Sequence, residues 1–446
     1  LVSLSRLMGT PTSENARVAL QNVGCKLNAY EVEALAHRLT ERGYSVVPFG
    51  TEADVYVVNT CTVTGAGDAD SRKAVRRARR RNPSAEIVAT GCYAQRRPAD
   101  LTAAGADLVV GNGQKAQLVE LLEAHLAGAE IPAPSATRPR TEQFLAIDGA
   151  VPQGRTRGSL QIQDGCDEHC TYCIIPAVRG HSTSRPAAEV IAQAQRMVAA
   201  GYRELALTGV HTGRYGFDQG QPEALVELLA ALEQIDGLER IRLNSIEPGY
   251  VTDALIDQAA ASPAICRHFH VPLQSGDDHI LKRMGRRYTR AYYAERIERI
   301  ASRIPDCAIG ADVMVGFPGE TSAHFAQTRS LLADLPLTYL HVFPFSQRED
   351  TPAERLPEHQ EAAVKKERAQ ALIALGAAKR LAFHRRFVGR SLQVLAEGRA
   401  DPATGLQVGL SDNYVKVLFA GPAVPNEFVD MQIEQAREEL AFGVRR

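Results

Sequence analysis

The sequence lacks a long hydrophobic run, because no window in its 446 residues approaches 18 consecutive apolar positions. The opening segment, LVSLSRLMGTPTSENAR, is also too polar for a secretory signal or a membrane span. These absences predict a cytoplasmic protein with no membrane partner. Eight cysteines in such a chain are more often reduced thiols and metal ligands than disulfides.

The sequence also lacks an excess of charge of either sign, with a formal net charge of -1. No global field favours nucleic acid, so DNA is not a predicted partner and any RNA-binding surface must be local. Hydrophobic residues make up 45% and charged residues 23%, which is typical of a globular chain with two or three domains.

Short apolar runs alternate with helical patterns between residues 18 and 130. Helical spacing occurs before Gly43 and again after Leu118. The runs that predict buried strands are VALQNV, ADVYVVNT, AEIVAT and ADLVVG. We therefore predict an N-terminal α/β domain with an open parallel sheet, preceded by a flexible extension at 1–17.

A linker rich in proline and arginine is predicted at 131–157, followed by a second α/β series at 158–383. Its candidate strands are SLQIQ, ELALTG, RIRLNS, RHFHVPL, AIGADVMVG and TYLHVFPF. Six strands separated by helices predict a partial (β/α)6 barrel whose working face lies at the C-terminal strand ends. Residues 384–446 show four short strand patterns and predict a small β-barrel.

Three cysteines follow three different strands of the first domain. Cys25, Cys61 and Cys92 lie 36 and 31 residues apart, each just beyond a candidate strand. Because the carboxyl ends of parallel strands meet at one crevice, these thiols could converge on a metal cluster. Small buried apolar cysteines are the alternative.

Three further cysteines fall in the eight-residue segment CDEHCTYC. Cys166, Cys170 and Cys173 form a C-x3-C-x2-C loop after the first barrel strand. Such a loop can hold three corners of a 4Fe-4S cube and leave the fourth iron open. A zinc site with His169 is the alternative, disfavoured because His169 lies between the cysteines.

The last two cysteines precede their strands. Cys266 and Cys307 therefore belong to the N-terminal face of the barrel, where residues generally serve stability. Six of the eight cysteines thus lie at working ends, three in each domain, and this distribution favours two clusters.

Longer motifs around these cysteines resemble the methylthiotransferase branch of the radical S-adenosylmethionine enzymes. The resemblance covers nearly the whole chain, and its tail is similar to a TRAM domain. Lys26 and Leu27 occupy places where other branches have Gln-Met or Pro-Lys, and GCKLNAYE and CTVTGAGDADSRK are most similar to the branch acting on N6-threonylcarbamoyladenosine in tRNA. The motifs that carry the resemblance are VGCKLNAYEVEA, ATGCYAQ, QIQDGCDEHCTYCIIPAVRGHSTSRP, HVPLQSGDDHILKRMGRRYT, DVMVGFPGE, HVFPFSQREDTPA and LSDNYVKV.

The resemblance implies a radical chemistry, which suits an adenine C2 hydrogen that acid or base cannot easily remove. The catalytic residues implied are the six cysteines. Cys166, Cys170 and Cys173 would hold a 4Fe-4S cluster that binds and cleaves S-adenosylmethionine. Cys25, Cys61 and Cys92 would hold a second 4Fe-4S cluster that carries the inserted sulfur, methylated by a second S-adenosylmethionine.

The implied product is 2-methylthio-N6-threonylcarbamoyladenosine at position 37, next to the anticodon. The partners implied are a tRNA and an electron donor protein. Alternative substrates are N6-isopentenyladenosine in tRNA and an aspartate of a ribosomal protein. An alternative of another class is a non-catalytic, metal-containing RNA-binding protein.

Further contacts to S-adenosylmethionine are expected from the other strand ends and the first cluster loop, with ordinary turn or barrel packing as the alternative for each. Gly209 has the clearest reason, since a backbone approaches a ligand closely where no side chain intervenes. Glu247 and Arg286 are additional candidates. The predicted contacts are Tyr172, Thr208, Gly209, Ser245, Gln274, Asp312 and Phe343.

A basic run, RKAVRRARRR, occupies residues 72–81 on a predicted helix. Basic side chains on neighbouring helix faces can follow a phosphate backbone, although a solvated face is the common alternative. The tail at 384–446 balances eight basic against eight acidic residues, so its charge does not argue for RNA. The predicted tRNA contacts are Arg72, Lys73, Arg76, Arg77 and Arg80.

Overall fold

The computed structural model describes residues 16–134, 139, 141, 143–147 and 156–446. Nearly all of the predicted extension at 1–17 and most of the predicted linker at 131–157 lie outside the described residues. In the described part, three successive regions each contain their own β-sheet structure.

The first region is an open, wholly parallel five-stranded sheet with strand order β2-β1-β3-β4-β5. Four of its strands confirm the sequence prediction, and the short β2 was missed. Its strands are β1 (Arg17–Asn22), β2 (Ser45–Val47), β3 (Val55–Thr60), β4 (Glu86–Gly91) and β5 (Leu108–Val110). Its helices are α1 (Lys26–Glu41), α2 (Gly65–Arg81), α3 (Cys92–Arg96), α4 (Pro98–Ala103) and α5 (Leu118–Leu126).

Apolar spacing explains how these helices pack. Helix α1 buries Leu27, Tyr30, Ala34, Leu35 and Leu39, which recur at helical spacing on the side that faces the sheet. Burial of each large apolar side chain contributes about 1.5–3 kcal/mol. Helix α2 and the short helices after β4 cover the opposite face.

The second region is a partial barrel. All six predicted strands are present, and bridges between Ser245 and His270 and between Gln274 and Val313 continue the parallel alignment. The strands are β6 (Arg157–Gln161), β7 (Gln163–Asp164), β8 (Thr183–Ser184), β9 (Glu204–Thr208), β10 (Arg240–Arg242), β11 (His268–His270), β12 (Ala308–Val315) and β13 (Tyr339–Pro344). The helices are α6 (Ile175–Arg179), α7 (Ala187–Ala199), α8 (Ala224–Leu232), α9 (Asp253–Ala261), α10 (Asp278–Arg283), α11 (Arg290–Arg303), α12 (Ser322–Asp334) and α13 (Ala362–Arg385).

The third region is a closed five-stranded barrel in the order β14-β15-β16-β18-β17. Four strands were predicted, and the closing strand β18 was missed. Arginines of the second region hold the two regions together: Arg240 and Arg242 donate to the backbone of Leu410 and Ser411. The strands are β14 (Ser391–Ala400), β15 (Gln407–Ser411), β16 (Lys416–Phe419), β17 (Phe428–Ala436) and β18 (Ala441–Arg445).

In the described part of the chain, no helix combines the length and apolar character that a membrane crossing requires.

Candidate active site

The first cysteine triad assembles where the parallel sheet reverses its strand order. Cys25 follows β1 and Cys61 follows β3, the two adjacent strands at the switch point where such sheets form their binding crevice. The Cys61 side chain packs against Gly24, where an added Cβ would lie 2.7 Å from Cys61 Cβ. Cys92 begins α3 after the neighbouring strand β4. Burial, with smaller contributions from the nearby Cys92 and Cys25 thiols, raises the pKa of Cys61 to about 11.

A buried network of charged and amide groups lies behind this triad. Arg179, from α6 of the second region, donates to Glu31 Oε1 at 2.9 Å and to Asn28 Oδ1 at 2.6 Å. Lys115 Nζ contacts the other carboxylate oxygen of Glu31 at 2.6 Å. Burial alone would raise the pKa of Glu31, but the two cations lower it to about 2. The network thus joins the first region to the barrel beneath the cysteines.

Sequence reasoning missed this network. The available signal was Glu31, a carboxylate within the buried stripe of α1, where an unpaired charge is costly. Its partners come from distant segments, 84 residues away for Lys115 and 148 for Arg179. Desolvation by the surrounding protein raises the pKa of Cys25 overall, and Arg179 opposes this shift by lowering it. The Cys25 residue nevertheless retains an exposed surface.

The second triad lies in the loop between β7 and α6. Burial, with a smaller contribution from Cys170, raises the pKa of Cys166 and of Cys173 to about 12. Cys92 of the first triad packs against Ile174, the residue after Cys173, and against Val178. The structure therefore brings the two triads to one apolar interface between the first and second regions.

An arginine and glutamate pair also flanks the second triad. Arg286 Nη1 lies 3.4 Å from Cys170 Sγ and 2.9 Å from Glu247 Oε2. Burial raises the pKa of Glu247 in spite of Arg286. Both residues, candidates from sequence, line a cavity of about 390 Å³ together with Cys170 and Tyr250.

The donor sets fit clusters better than single ions. A tetrahedral zinc with Zn–S distances of about 2.3 Å draws its sulfurs within about 4 Å of one another. Among the described residues, the one group of three or more potential ligands with atoms all within 4.8 Å is His270, Asp312 and His341, and it contains no cysteine. His169 is exposed and joins no such group. Within the described ranges, neither cysteine triad has a fourth protein ligand at single-ion spacing, as an open cluster requires.

A second cavity, of about 300 Å³, lies between all three regions, and we call it the central cavity. The first region contributes Cys25, Lys26 and Leu27 to its wall, and the third contributes Tyr414. Four predicted cofactor contacts from the barrel strand ends line it: Thr208, Gly209, Ser245 and Asp312. One cavity thus contains a cysteine of the first triad and most of the predicted cofactor contacts.

A chain of polar contacts crosses the barrel side of the central cavity. Ser245 Oγ lies 2.6 Å from His270 Nδ1, and His270 Nε2 lies 3.2 Å from Asp312 Oδ1. His341 Nδ1 approaches the same carboxylate oxygen at 3.3 Å. Burial would raise the pKa of Asp312, but the two adjacent imidazoles, His270 and His341, hold it well below its usual range.

The remaining predicted cofactor contacts lie outside the central cavity. Tyr172 packs edge-on against Phe317 with ring centroids 6.4 Å apart. Gln274 adopts a φ of 64°, and its buried Oε1 has no hydrogen-bond partner among the described residues. Phe343 is 36% exposed.

Gly209, which lines the central cavity, is also close to the protein itself. A Cβ at this position would lie 2.9 Å from the Gln163 carbonyl oxygen, so a contact within the protein already requires glycine there.

The predicted basic helix is α2, whose buried stripe is Ser71, Ala74, Val75 and Ala78. Arg72 is half-buried and donates to the Tyr93 hydroxyl. The other four predicted contacts are exposed: Lys73, Arg76, Arg77 and Arg80. Lys73 contacts Asp70 at 3.4 Å and Arg77 contacts Gln21 at 3.1 Å, whereas Arg76 and Arg80 have no polar partner among the described residues.

Comparison with known proteins agrees with this arrangement. Residues 17–111 match the model of Uncharacterized protein family UPF0004, and residues 160–332 match that of the Radical SAM superfamily. The TsrM methyltransferase of Kitasatospora setae, solved with cobalamin and a [4Fe-4S] cluster bound, has a TM-score of 0.57 at 19% identity, covering 76% of this chain and 77% of that one. The cobalamin-dependent radical enzyme OxsB has a TM-score of 0.51 at 11% identity, covering 81% and 55%. The family-model match over residues 160–332 identifies the second region as a radical S-adenosylmethionine domain.

Relatives of similar length define the family. The threonylcarbamoyladenosine tRNA methylthiotransferase MtaB of Bacillus subtilis is 40% identical over 91% of this chain and 91% of its own length. MtaB of Thermotoga maritima is 35% identical over 96% of both chains. A tRNA-2-methylthio-N(6)-dimethylallyladenosine synthase of Desulfitobacterium hafniense is 32% identical over 94% and 95%. The chain belongs to the radical S-adenosylmethionine methylthiotransferase family.

Proposed function

We propose that this protein is a tRNA methylthiotransferase that inserts a methylthio group at C2 of N6-threonylcarbamoyladenosine at position 37, next to the anticodon. The observation that carries the proposal is the meeting of two cysteine triads at one interface. Relatives named for this activity match the chain over nearly its whole length, at 35–40% identity for the B. subtilis and T. maritima proteins.

A 4Fe-4S cluster and S-adenosylmethionine are the cofactors, and we assign the cluster to Cys166, Cys170 and Cys173. We assign a second 4Fe-4S cluster to Cys25, Cys61 and Cys92. When bound, these groups supply the one-electron cleavage of S-adenosylmethionine and the sulfur for insertion at C2.

The chain's own residues bind and orient these cofactors and shield their ligands from solvent. Cys92 is buried against Ile174 and Val178, so this apolar contact shields its thiol from solvent. We assign the Arg286 and Glu247 pair to the amino acid end of S-adenosylmethionine, since the pair presents both signs of charge beside Cys170. We assign the nucleoside of S-adenosylmethionine to four residues that line the central cavity together: Thr208, Gly209, Ser245 and Asp312.

Three further residues are assigned to the same cofactor with different support. Gln274 has the strongest support, because a buried amide oxygen without a partner is costly unless a ligand supplies one. Tyr172 follows Thr171 in the cluster loop and shares an apolar cluster with Phe317 and Met314. Phe343 is supported by its position on β13, next to Met314 in the strand pairing.

The tRNA is bound in part by α2, through Lys73, Arg76, Arg77 and Arg80, with Arg72 at the edge of this face. Helix α2 begins four residues after Cys61, so its basic face belongs to the region that carries the second cluster. The third region is proposed to act as a TRAM domain. The reaction also requires an electron donor protein, and a cytoplasmic location suits a tRNA substrate.

Nucleoside mass spectrometry of tRNA, with and without this protein, tests the proposal. We expect the methylthio group on threonylcarbamoyladenosine to disappear in cells lacking the protein and to return on restoration. Loss of methylthio-isopentenyladenosine instead would keep the chemistry and change the substrate. If neither nucleoside changed, the proposal would fail in favour of a ribosomal protein substrate or a non-catalytic role, and zinc without sulfide in the anaerobically purified protein would identify the latter.

A further inference from the structure

We propose that the N-terminus of α1, Lys26 and His268 form an anion subsite in the central cavity that receives the carboxylate of the threonyl group on the substrate adenosine. This inference rests on the proposed function and identifies the part of the site that selects the N6 substituent.

The first component is the start of a 16-residue helix. Cys25 is its N-cap residue and makes no side-chain capping hydrogen bond, and the first turn contains no acidic residue. The first backbone N–H groups of a helix lack intrahelical partners and carry a partial positive charge, which favours a carboxylate. Lys26 and Leu27, the first two helical residues, line the central cavity.

The second component is the Lys26 ammonium group itself. Lys26 is exposed to the cavity and has no ion pair or hydrogen bond among the described residues. The cavity's other permanent cation, Arg242, is already paired with Glu204 at 2.8 Å. Lys26 is therefore the cation of the cavity wall that is available to a bound anion.

The third component is a buried polar atom without a partner. His268 lines the central cavity at 5% exposure, and its ring stacks on Tyr414 with centroids 4.3 Å apart. Its Nε2 lies 2.7 Å from the Tyr339 hydroxyl, whereas its Nδ1 has no hydrogen-bond partner in the described part of the chain. An imidazole fixed in this way can supply a hydrogen bond to a ligand in the cavity.

The chemistry of the N6 group decides between ligands. A threonylcarbamoyl group ends in a carboxylate, whereas the dimethylallyl group named for related enzymes is a neutral hydrocarbon. A hydrocarbon gains nothing from an ammonium group and a helix N-terminus, and it would desolvate both. The three components therefore favour the charged substituent. The two other available anions are a backbone phosphate of the RNA and the carboxylate of S-adenosylmethionine, and the experiment separates both.

The test uses an anticodon stem-loop carrying either threonylcarbamoyladenosine or its methyl ester, which removes only the negative charge. We expect the iron-loaded protein to prefer the acid by about 10-fold in kcat/KM, the size of one charge-assisted hydrogen bond. Lys26→Gln should reduce this preference to near unity, and Lys26→Arg should retain it. Lys366→Gln changes an exposed lysine on α13 and should leave the preference at its original value.

Each other result overturns the inference. If Lys26→Gln lowered turnover of both RNAs equally at full iron content, Lys26 would contact a phosphate. If it instead raised the KM for S-adenosylmethionine, it would contact the cofactor. An unchanged preference in Lys26→Gln would exclude Lys26 from the subsite while leaving the proposed function intact. Failure of the original protein to modify either RNA would remove the proposed function, and the inference with it.

Discussion

The two cysteine triads are assembled from the chain in different ways. Cys166, Cys170 and Cys173 come from one eight-residue loop, so local chain geometry brings them together. Cys25, Cys61 and Cys92 come from three strand ends, and only the order of the parallel sheet makes them neighbours. A triad of the second kind depends on the packing of a whole domain, and we expect it to be the more easily disrupted.

The supporting charges show the same contrast. Arg286 contacts Glu247 and Cys170 within the barrel. Arg179 instead crosses from the barrel to Glu31 in the first region, so its ion pair also fixes how the two regions meet. The first triad is therefore coupled to the interface in a way that the second is not.

The largest expected effect comes from replacing one cysteine in each triad, because the two triads are proposed to serve different steps. Cys166→Ala should abolish formation of 5'-deoxyadenosine and methylthiolation together, because the proposed site of cofactor cleavage is lost. Cys61→Ala should retain 5'-deoxyadenosine formation while methylthiolation falls to background, and each variant should keep about half of the iron. Chromatography of both products from one reaction measures this, and equal loss of both in Cys61→Ala would contradict the division.

The next effect concerns the interface. Arg179→Ala leaves Lys115 as the cation paired with Glu31 but removes the cation paired with the buried Asp164, and removing one partner of a buried ion pair typically costs about 3–5 kcal/mol. We expect a lower thermal unfolding midpoint and selective loss of iron from the first triad. Arg303→Ala is the matched control, since its pair with Asp257 is about half exposed and such pairs contribute about 0–1 kcal/mol. Similar midpoints for the two variants would refute the proposed role of the interface.

A glycine tests how strongly strand geometry positions the first triad. Gly91 precedes Cys92 with a φ of 98°, and an added Cβ would lie 2.5 Å from the Thr60 carbonyl oxygen. Gly389 has a φ of 81° but nothing within 4 Å of its Cβ position. Gly389→Ala should cost about 1–2 kcal/mol from backbone strain alone. Gly91→Ala should lower the free energy of unfolding by more than this and should displace Cys92. The iron content of the Gly91→Ala protein should therefore fall, whereas that of the Gly389→Ala protein should not.

The smallest expected effect comes from a test of whether tRNA contacts helix α2, which follows Cys61 of the first triad. Replacing both Arg76 and Arg80 by alanine should weaken tRNA binding several-fold at moderate salt and reduce the dependence of log Kd on log salt by about 2. Filter binding across a salt series measures both quantities. Arg329→Ala, an exposed arginine on α12, should change neither. An unchanged salt dependence in the double variant would indicate that α2 is a solvated face.

Much of the fold follows from local patterns. The apolar runs of β1, β3 and β4 and the helical spacing of α1 were predicted because each is a periodic segment of sufficient length. The three-residue strand β2 was missed, since its residues are mostly exposed. Strand β18 was missed because its burial comes from barrel closure.

The candidate site, like the fold, could be predicted in part from the sequence. The six cysteines were predicted from their places at strand ends, and the resemblance drew attention to Thr208, Ser245 and Asp312, which the structure places in one cavity. Phe343 and Gln274 were predicted by the same reasoning, but their side chains lie outside that cavity. Strand position predicts which end a residue occupies, whereas pleat and bulge decide where its side chain points.

By itself, the sequence determined the parallel sheet, the barrel strands and the open cysteine loop, because these depend on hydrophobic period and on ligands a few residues apart. Only the tertiary structure decided that Arg179 pairs with Glu31 and that Lys26 shares a cavity with His268 and Tyr414. Those contacts join residues more than a hundred positions apart, and their energy depends on burial and on distance in space. No local pattern encodes either quantity.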